Sequence, residues 1–217
     1  MMNINSKLIT DITIQKKDER RRNIFVDGVF AFSLSDVDVL YYKLKVNEEI
    51  SEELYNKILD NIVYEQSKFI ALKYLSHRIR CEKEVRQKLI DKDIPEEVIE
   101  KTVGFLKKYN YLNDYDFARA YIKDKLHLTG YGRKKIAYDL KYLGIKEDVI
   151  IELEETERVF EKEEEVALKL GRKKSKRLDL YDFKDKNKLT NYLIRRGFGY
   201  DIIKNVIETL IYEFEEE

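Results

Sequence analysis

Cysteine and the residues that interrupt regular structure are scarce in this chain. Its 217 residues include one proline, eight glycines and one cysteine, and tryptophan is absent. So few breakers favour long helices and argue against a sandwich of many short strands. The lone Cys81 excludes an internal disulfide and a zinc site built from several cysteines. His77 and His127 belong to no metal or catalytic motif, so we expect no metal, no cofactor and no catalysis.

Long apolar runs are missing as well. No stretch of the sequence approaches the roughly 20 apolar residues that span a bilayer. The first residues, "MMNINSKLITDI", lack the basic-then-apolar order of a secretory signal. We therefore expect a cytoplasmic protein with no membrane association.

Charge is balanced overall but unevenly distributed. Basic and acidic residues number 42 each, for a formal net charge of zero. Basic residues dominate 66–146 and 166–196, whereas acidic residues dominate 147–165 and 197–217. Such blocks create local fields of opposite sign on a neutral molecule and suit a surface that meets a charged partner.

The first sixty or so residues have the pattern of a small sheet. Alternating apolar residues and the turn signal Asp27-Gly28 predict antiparallel strands near 8–15, 22–27 and 29–34. Ser35 then precedes a short helix, and Ser51 is placed to cap a longer one. A sheet this small is marginal alone and must pack on something else.

From there to the end, apolar residues recur at helical spacing, and one pattern is written three times. "KLIDKDIPEEVI" at 88–99 returns as "DLKYLGIKEDVI" at 139–150 and as "YLIRRGFGYDII" at 192–203. Each copy predicts a helix, a short connector and a second helix, and each is preceded by a further apolar helix. The equivalent apolar positions are Val85, Leu89, Ile94, Val98 and Ile99, then Ile136, Leu140, Ile145, Val149 and Ile150, then Leu189, Leu193, Phe198, Ile202 and Ile203.

The connectors fit this interpretation. Gly144 and Gly197 can adopt the left-handed conformation that ends a helix, and Pro95 suits the start of one. A three-helix unit of this size buries little alone, so the copies are expected to stack. The sequence thus predicts a mainly α protein: three tandem three-helix repeats in an elongated, curved array, preceded by a small antiparallel β-hairpin or sheet module. The predicted limits are 1–64 for the β module and 65–112, 113–157 and 158–217 for the repeats.

The first two copies resemble the RecX family of recombinase regulators. In the first, Arg78, Arg80, Glu84, Lys88, Leu89 and Lys92 match the family pattern, with Cys81, Val85 and Asp93 in place of its Ser, Leu and Gly. In the second, "YLNDYDFARAYIKDKL" followed by "GYGRKKIAYDLKYLGI" is similar to the most distinctive family segment. There Asp139 replaces the usual Glu and Leu143 the usual Lys. The resemblance covers about residues 65–212, and the sheet resembles the extra module of longer members.

This resemblance implies a regulator that is not an enzyme. Proteins of the family bind the RecA recombinase along the groove of its filament on single-stranded DNA. They restrain its ATP hydrolysis, filament growth and strand exchange in homologous recombination and the SOS response. The implied partner is therefore the RecA filament, and the chain is expected to act as a monomer. The alternative is a helical protein that binds single- or double-stranded DNA directly.

Basic side chains in the repeats are the candidate contacts with RecA or DNA. The competing interpretation is a solvated surface with internal ion pairs, as also expected for "KKDERRR" at 16–22. The acidic block at 147–165 is expected to form such a surface too, or alternatively to face a basic groove or shield the basic units until the partner binds. Arg78, Arg80, Arg86 and Lys88 are expected to lie beside Arg133, Lys134, Lys135 and Lys141 if the copies stack in register. The complete candidate set is Arg78, Arg80, Arg86, Lys88, Arg119, Arg133, Lys134, Lys135, Lys141, Arg172, Lys173, Lys174 and Arg177.

Overall fold

The chain is mainly helical and divides into two compact units at the Leu112–Asn113 boundary. A computed structural model describes residues 6–16 and 18–215. The prediction of no secretory signal concerns residues 1–12, of which 1–5 lie outside the described residues, as does Lys17 of the 16–22 basic run.

The first unit begins with an antiparallel sheet. Strands β1 (Ser6–Gln15), β2 (Asp18–Val26), β3 (Val29–Ser35) and β4 (Glu49–Ser51) lie in the order β3-β2-β1-β4. The turn at Asp27-Gly28 has positive φ at both residues, as its sequence predicts. The sequence did not reveal β4, because three residues that pair only with Ser6–Leu8 leave no alternating pattern to detect.

Helices of the first unit cover this sheet. Ser35 caps α1 (Asp36–Tyr41), and Ser51 caps α2 (Glu52–Ile58), both as expected. A π-helical turn at Leu59–Val63 joins α2 to α3 (Tyr64–Leu75). The turn buries Leu59 and Val63 in one core with residues of the sheet, so the sheet has the packing partner it requires.

Three helices form each repeat, in agreement with the sequence. The first repeat consists of α3, α4 (Glu82–Ile90) and α5 (Glu96–Lys108). The second consists of α6 (Asp114–Asp124), a π-helical turn at Lys125–Thr129, α7 (Arg133–Tyr142) and α8 (Glu147–Glu157). The third consists of α9 (Glu163–Ser175), α10 (Phe183–Arg196) and α11 (Tyr200–Glu215). The repeat limits drawn from the sequence and the elongated, curved arrangement stay predictions.

One turn geometry recurs at the centre of every repeat. The left-handed residue is Asp93, Gly144 or Gly197, with φ of 56°, 86° and 92°. The next residue donates its N–H to a carbonyl five positions back: Ile94 to Leu89, Ile145 to Leu140 and Phe198 to Leu193, at 3.1, 3.0 and 3.3 Å. The left-handed residue itself donates to the carbonyl three positions back. This is a Schellman turn, which satisfies the last carbonyls of the helix and brings two apolar side chains together.

The repeated apolar positions are interior. Leu89, Leu140 and Leu193 are each fully buried, so the three copies place a leucine at equivalent interior positions. Val149 and Ile202 are half-buried, and the other repeated positions are buried. Truncating such a leucine to alanine typically costs about 2–5 kcal/mol, which explains why the pattern persists in each copy.

The acidic block forms two helices separated by a turn. Helix α8 ends where Arg158 adopts φ of 47°, and α9 begins at Glu163. Phe160 in the turn is buried, so the break belongs to the packing of the second unit.

Within residues 6–16 and 18–215, no helix combines the length and apolar character that crossing a membrane requires. The same residues contain no group of three or more His, Cys, Asp or Glu side chains arranged to hold a metal ion.

Candidate partner-binding surface

The motif "RIRCEKE" at 78–84 builds the start of α4. The Glu84 carboxylate accepts the backbone N–H of Cys81 at 3.2 Å, which is one half of a capping box. The same carboxylate pairs with Arg78 and lies 3.6 Å from Arg80. Two of the candidate cations therefore neutralise the acid that caps this helix.

Arg80 is held more tightly than Arg78. Its guanidinium lies 3.6 Å from the centre of the Tyr74 ring, and its Nε donates to the Tyr74 carbonyl at 3.1 Å. Only 13% of the side chain is exposed. The Lys88 ammonium lies 5.3 Å from the same ring. Arg80 thus ties α4 to α3 and offers little charge to a partner.

Arg86 is the most strongly paired candidate. It bonds Glu82 on its own helix at 2.7 Å and Glu100 on α5 through two nitrogens, and it lies 3.7 Å from Glu96. The hydrogen bond to Glu100 raises the pKa of the guanidinium above its usual value. This network joins the two helices on either side of the central turn.

Candidates in the second repeat are also largely paired. Arg119 contacts Asp116 at 2.8 Å and Glu157 at 3.4 Å, and Lys141 contacts Glu147 at 2.8 Å. Arg133 contacts Glu154 at 2.6 Å. The acidic block therefore neutralises basic side chains of its own unit, which accounts for the alternation of charge along the sequence.

The basic run at 171–177 also contains both paired and unpaired cations. Arg172 pairs with Glu213 of α11 at 2.6 Å, whereas Lys174 lies 5.7 Å from the Tyr192 ring. Among the described residues, the exposed side chains of Lys134, Lys173 and Arg177 have no ion-pair partner. Whether the candidates of the first repeat lie beside those of the second stays a prediction.

Two arginines of the basic run at 16–22 are engaged within the first unit. The Arg21 guanidinium donates to Ser33 and to Gln66, and Arg22 pairs with Asp36 at 3.0 Å. These arginines fasten β2 to neighbouring elements and are not available as a free basic patch.

The segment "GYGR" at 130–133 is a packing device. Gly132 precedes α7 and donates its N–H to the carbonyl of Arg196 at 2.8 Å, and Lys134 donates to the carbonyl of Gly197 at 3.0 Å. A Cβ atom on Gly132 would lie 2.6 Å from backbone atoms of Gly197. The glycine is therefore required by the close approach of two backbones.

Gly132 is the N-cap residue of α7 and has no side chain to accept a backbone N–H, so Glu163 provides the capping oxygen. Its buried carboxylate accepts the N–H of Arg133, the first residue of α7, at 2.7 Å. Burial raises the pKa of this carboxyl, which Asp201 and Glu154 raise further and Arg133 opposes. An acid of the third repeat thus completes a helix of the second.

Sequence reasoning missed a small basic cavity in the second unit. Its volume is about 310 Å³, and Thr129, Tyr131, Lys135, Tyr192, Arg195 and Arg196 line it. Arg195 and Arg196 were not among the candidates. The available signal was their position directly before Gly197, the left-handed residue of the third repeat, which brings the end of α10 against "GYGRKK".

Family models match most of the chain. The RecX N-terminal domain matches residues 7–51, and the first, second and third three-helix domains of RecX match residues 68–106, 113–152 and 161–207. These matches follow the order of the sheet and the three repeats.

Curated proteins are similar over nearly the whole chain. A regulatory protein RecX of Clostridium botulinum (strain Alaska E43 / Type E3) is 36% identical over 95% of this chain and 98% of its own. A regulatory protein RecX of Clostridioides difficile (strain 630) is 35% identical over 96% of this chain and 98% of its own.

A crystal structure of regulatory protein RecX has a TM-score of 0.62 and 25% identity, covering 93% of this chain and 99% of that one. The crystal structure of RecX from Lactobacillus salivarius has a TM-score of 0.61 and 28% identity, covering 69% and 97%. With four matched domains in order and relatives above 30% identity across almost the whole length, this chain belongs to the RecX family of regulatory proteins.

Proposed function

We propose that this protein regulates the RecA recombinase in the cytoplasm by binding the RecA filament on single-stranded DNA, with no catalysis of its own. Bound there, it slows ATP hydrolysis, filament growth and strand exchange. The observation that carries the proposal is family membership over the β module and all three repeats.

Rigidity of the repeats supports a binding role. Each repeat is closed by the same Schellman turn on a fully buried leucine, and repeats two and three are joined by backbone hydrogen bonds. A surface that is ordered before binding loses less conformational entropy when it meets a large partner. The charged side chains on these helices can then present a fixed pattern to a filament.

The candidate contacts differ in what binding would cost. Lys134, Lys173 and Arg177 are exposed and can meet an acidic partner surface without breaking an ion pair. Arg78, Arg119, Arg133, Lys141 and Arg172 would exchange exposed internal pairs, which are worth about 0–1 kcal/mol each. Arg80 and Arg86 would have to leave several partners at once, so we rank them last.

The test is the rate of RecA ATP hydrolysis on single-stranded DNA with substoichiometric amounts of this protein. The proposal expects a slower rate and co-purification of the protein with RecA. An unchanged rate together with no co-purification would refute it.

Direct contact with DNA is the second candidate function. The basic cavity favours it, because no carboxylate is among the six described residues that line it. Salt-sensitive binding to DNA without RecA is the corresponding expectation.

A further inference from the structure

Five side chains of the second unit alternate between cation and tyrosine ring. The Lys135 ammonium lies 4.9 Å from the centre of the Tyr131 ring, and the Arg196 guanidinium lies 5.9 Å from the same ring. Arg196 is also 5.3 Å from the centre of Tyr192, whose ring is 5.7 Å from the Lys174 ammonium. We name these five residues the cation–tyrosine ladder.

Two of the three ladder cations, Arg196 and Lys174, have no carboxylate partner among the described residues. Elsewhere in this unit Arg119, Arg133 and Arg172 are paired with carboxylates. Arg196 instead contacts two rings and donates to the carbonyl of Thr129. Rings and carbonyls orient a guanidinium yet leave its charge available to an anion.

One carboxylate faces the ladder. Asp139 lies 3.7 Å from Lys135, beyond ordinary hydrogen-bond distance. The Tyr121 hydroxyl is beside the same carboxylate: burial, with Asp139 adding to it, raises the pKa of Tyr121 to about 12. Lys135 is therefore paired only at long range, and Arg195, which also lines the cavity, adds another cation.

The backbone beneath the ladder is fixed. Tyr131 and Lys135 flank the hydrogen bonds from Gly132 to Arg196 and from Lys134 to Gly197. Tyr192 and Arg196 lie on the last turns of α10, and Lys174 lies on the last turn of α9. Three elements of the second unit therefore contribute cations to the ladder, and main-chain hydrogen bonds join two of them before any ligand arrives.

We propose that the cation–tyrosine ladder binds the sugar–phosphate backbone of single-stranded DNA, with Lys135, Arg196 and Lys174 on phosphates. The cavity of about 310 Å³ is open to solvent and lined by two tyrosines, so one flexible strand can reach its cations and rings. Basic side chains interleaved with aromatic rings are the usual footprint of single-strand binding. This inference refines the proposed function, since it gives the DNA of the RecA filament a contact on this protein.

An acidic protein surface is the competing occupant. Lysine and arginine bind carboxylates as well, but the tyrosines add ring edges and hydroxyls that meet sugars and phosphates. The direct test uses the full chain without RecA and a short fluorescein-labelled oligo-dT, with fluorescence anisotropy measured across a series of salt concentrations.

The matched variants are Lys135→Gln/Lys174→Gln in the ladder and Lys123→Gln/Lys204→Gln on exposed positions elsewhere in the unit, which lose the same charge. We expect the ladder variant to bind the oligonucleotide about tenfold more weakly, with the salt slope reduced by about 0.7 per lost phosphate contact. The control variant should retain affinity within about twofold. If the double variant folds poorly, the affinity of Lys174→Gln alone can be measured instead, because Lys174 is exposed.

Equal losses in ladder and control variants would overturn the inference, because they would reflect net charge only. So would wild-type protein that does not bind the oligonucleotide, or ladder variants that bind it normally but no longer bind an oligoglutamate probe. Slowing of RecA ATP hydrolysis is measured separately. The proposed function can therefore fail while the ladder is upheld, and the ladder can fail while RecA regulation is upheld.

Discussion

The backbone N–H of Gly132 donates to the carbonyl oxygen of Arg196 at 2.8 Å, so the entry to α7 is joined to the end of α10 by main-chain atoms. No side chain takes part in this bond. The identity of residue 132 matters because a larger residue would separate the two backbones.

Gly132→Ala should destabilise the protein. The added Cβ would lie 2.6 Å from the Gly197 carbonyl group and the Phe198 nitrogen, both of which are backbone and cannot move aside cheaply. We expect the free energy of unfolding to fall by about 3 kcal/mol, from overpacking and weakened backbone bonds. Urea denaturation followed by far-UV circular dichroism measures the change.

Gly104→Ala is the matched control for that substitution. Gly104 lies inside α5 with no neighbouring atom within 4 Å of an added Cβ. The same change should therefore stabilise the protein by about 1 kcal/mol through helix propensity. A similar effect at both positions would contradict the close-approach argument.

Asp93→Gly should stabilise the first repeat. Asp93 occupies the left-handed position that Gly144 and Gly197 occupy in the other two copies, with φ of 56°. An L-residue in this left-handed conformation is strained by about 1 kcal/mol. Glycine removes the strain, but it also gives the unfolded chain more conformational freedom, which offsets part of the gain in stability. We expect a gain of about 0.5–1 kcal/mol in urea denaturation, and Gly144→Asp should lose a similar amount. A loss on Asp93→Gly would show that the carboxylate makes a compensating contact.

Much of the fold could be read from the sequence because its signals are local. The apolar positions of each repeat, the glycines at the turns and the serine caps of α1 and α2 act within a few residues of themselves. The π-helical turns and β4 could not be predicted, because each depends on packing against distant residues. The π-helical turn at Leu59–Val63, for example, buries Leu59 and Val63 in the core of the first unit, and the neighbouring sequence does not show that packing.

The candidate site was harder to predict for a related reason. The sequence does not distinguish a basic residue that has no ion-pair partner among the described residues, such as Lys134, from one that is paired with carboxylates, such as Arg86. Ion pairs such as that between Arg172 and Glu213 join residues far apart in the chain. Sequence could name the basic blocks, but only the fold shows which charges are available.

Glu163→Gln should change how stability depends on pH. Burial raises the folded-state pKa of Glu163 above the ordinary 4.5. Between those two values the folded state binds more protons than the unfolded state, so wild-type stability falls as pH rises through that window. Glutamine keeps an oxygen that can accept the Arg133 N–H and does not titrate. The difference in unfolding free energy, variant minus wild type, should therefore grow with pH from about 4.5 and then level off above the raised pKa.

Glu164→Gln is the control, because Glu164 is the exposed neighbour on the same helix turn. Its difference from wild type should show no comparable rise. A constant offset for Glu163→Gln across the whole pH series would mean that burial does not disfavour the ionised carboxylate. Urea denaturation in a series of buffers provides both curves.

Reversing charge at Lys134, Lys173 and Arg177 should weaken binding to RecA without destabilising the fold. These exposed side chains have no ion-pair partner among the described residues, so replacing each with glutamate breaks no internal bridge. Facing an acidic partner surface, each reversal converts attraction into repulsion. We expect at least a tenfold loss in a pull-down with RecA in the absence of DNA, with an unchanged melting temperature. The triple variant Lys123→Glu/Lys184→Glu/Lys204→Glu carries the same charge change at exposed positions outside the candidate set and should bind normally. If both triple variants lose binding equally, the effect is one of net charge, and these three cations are not the contact.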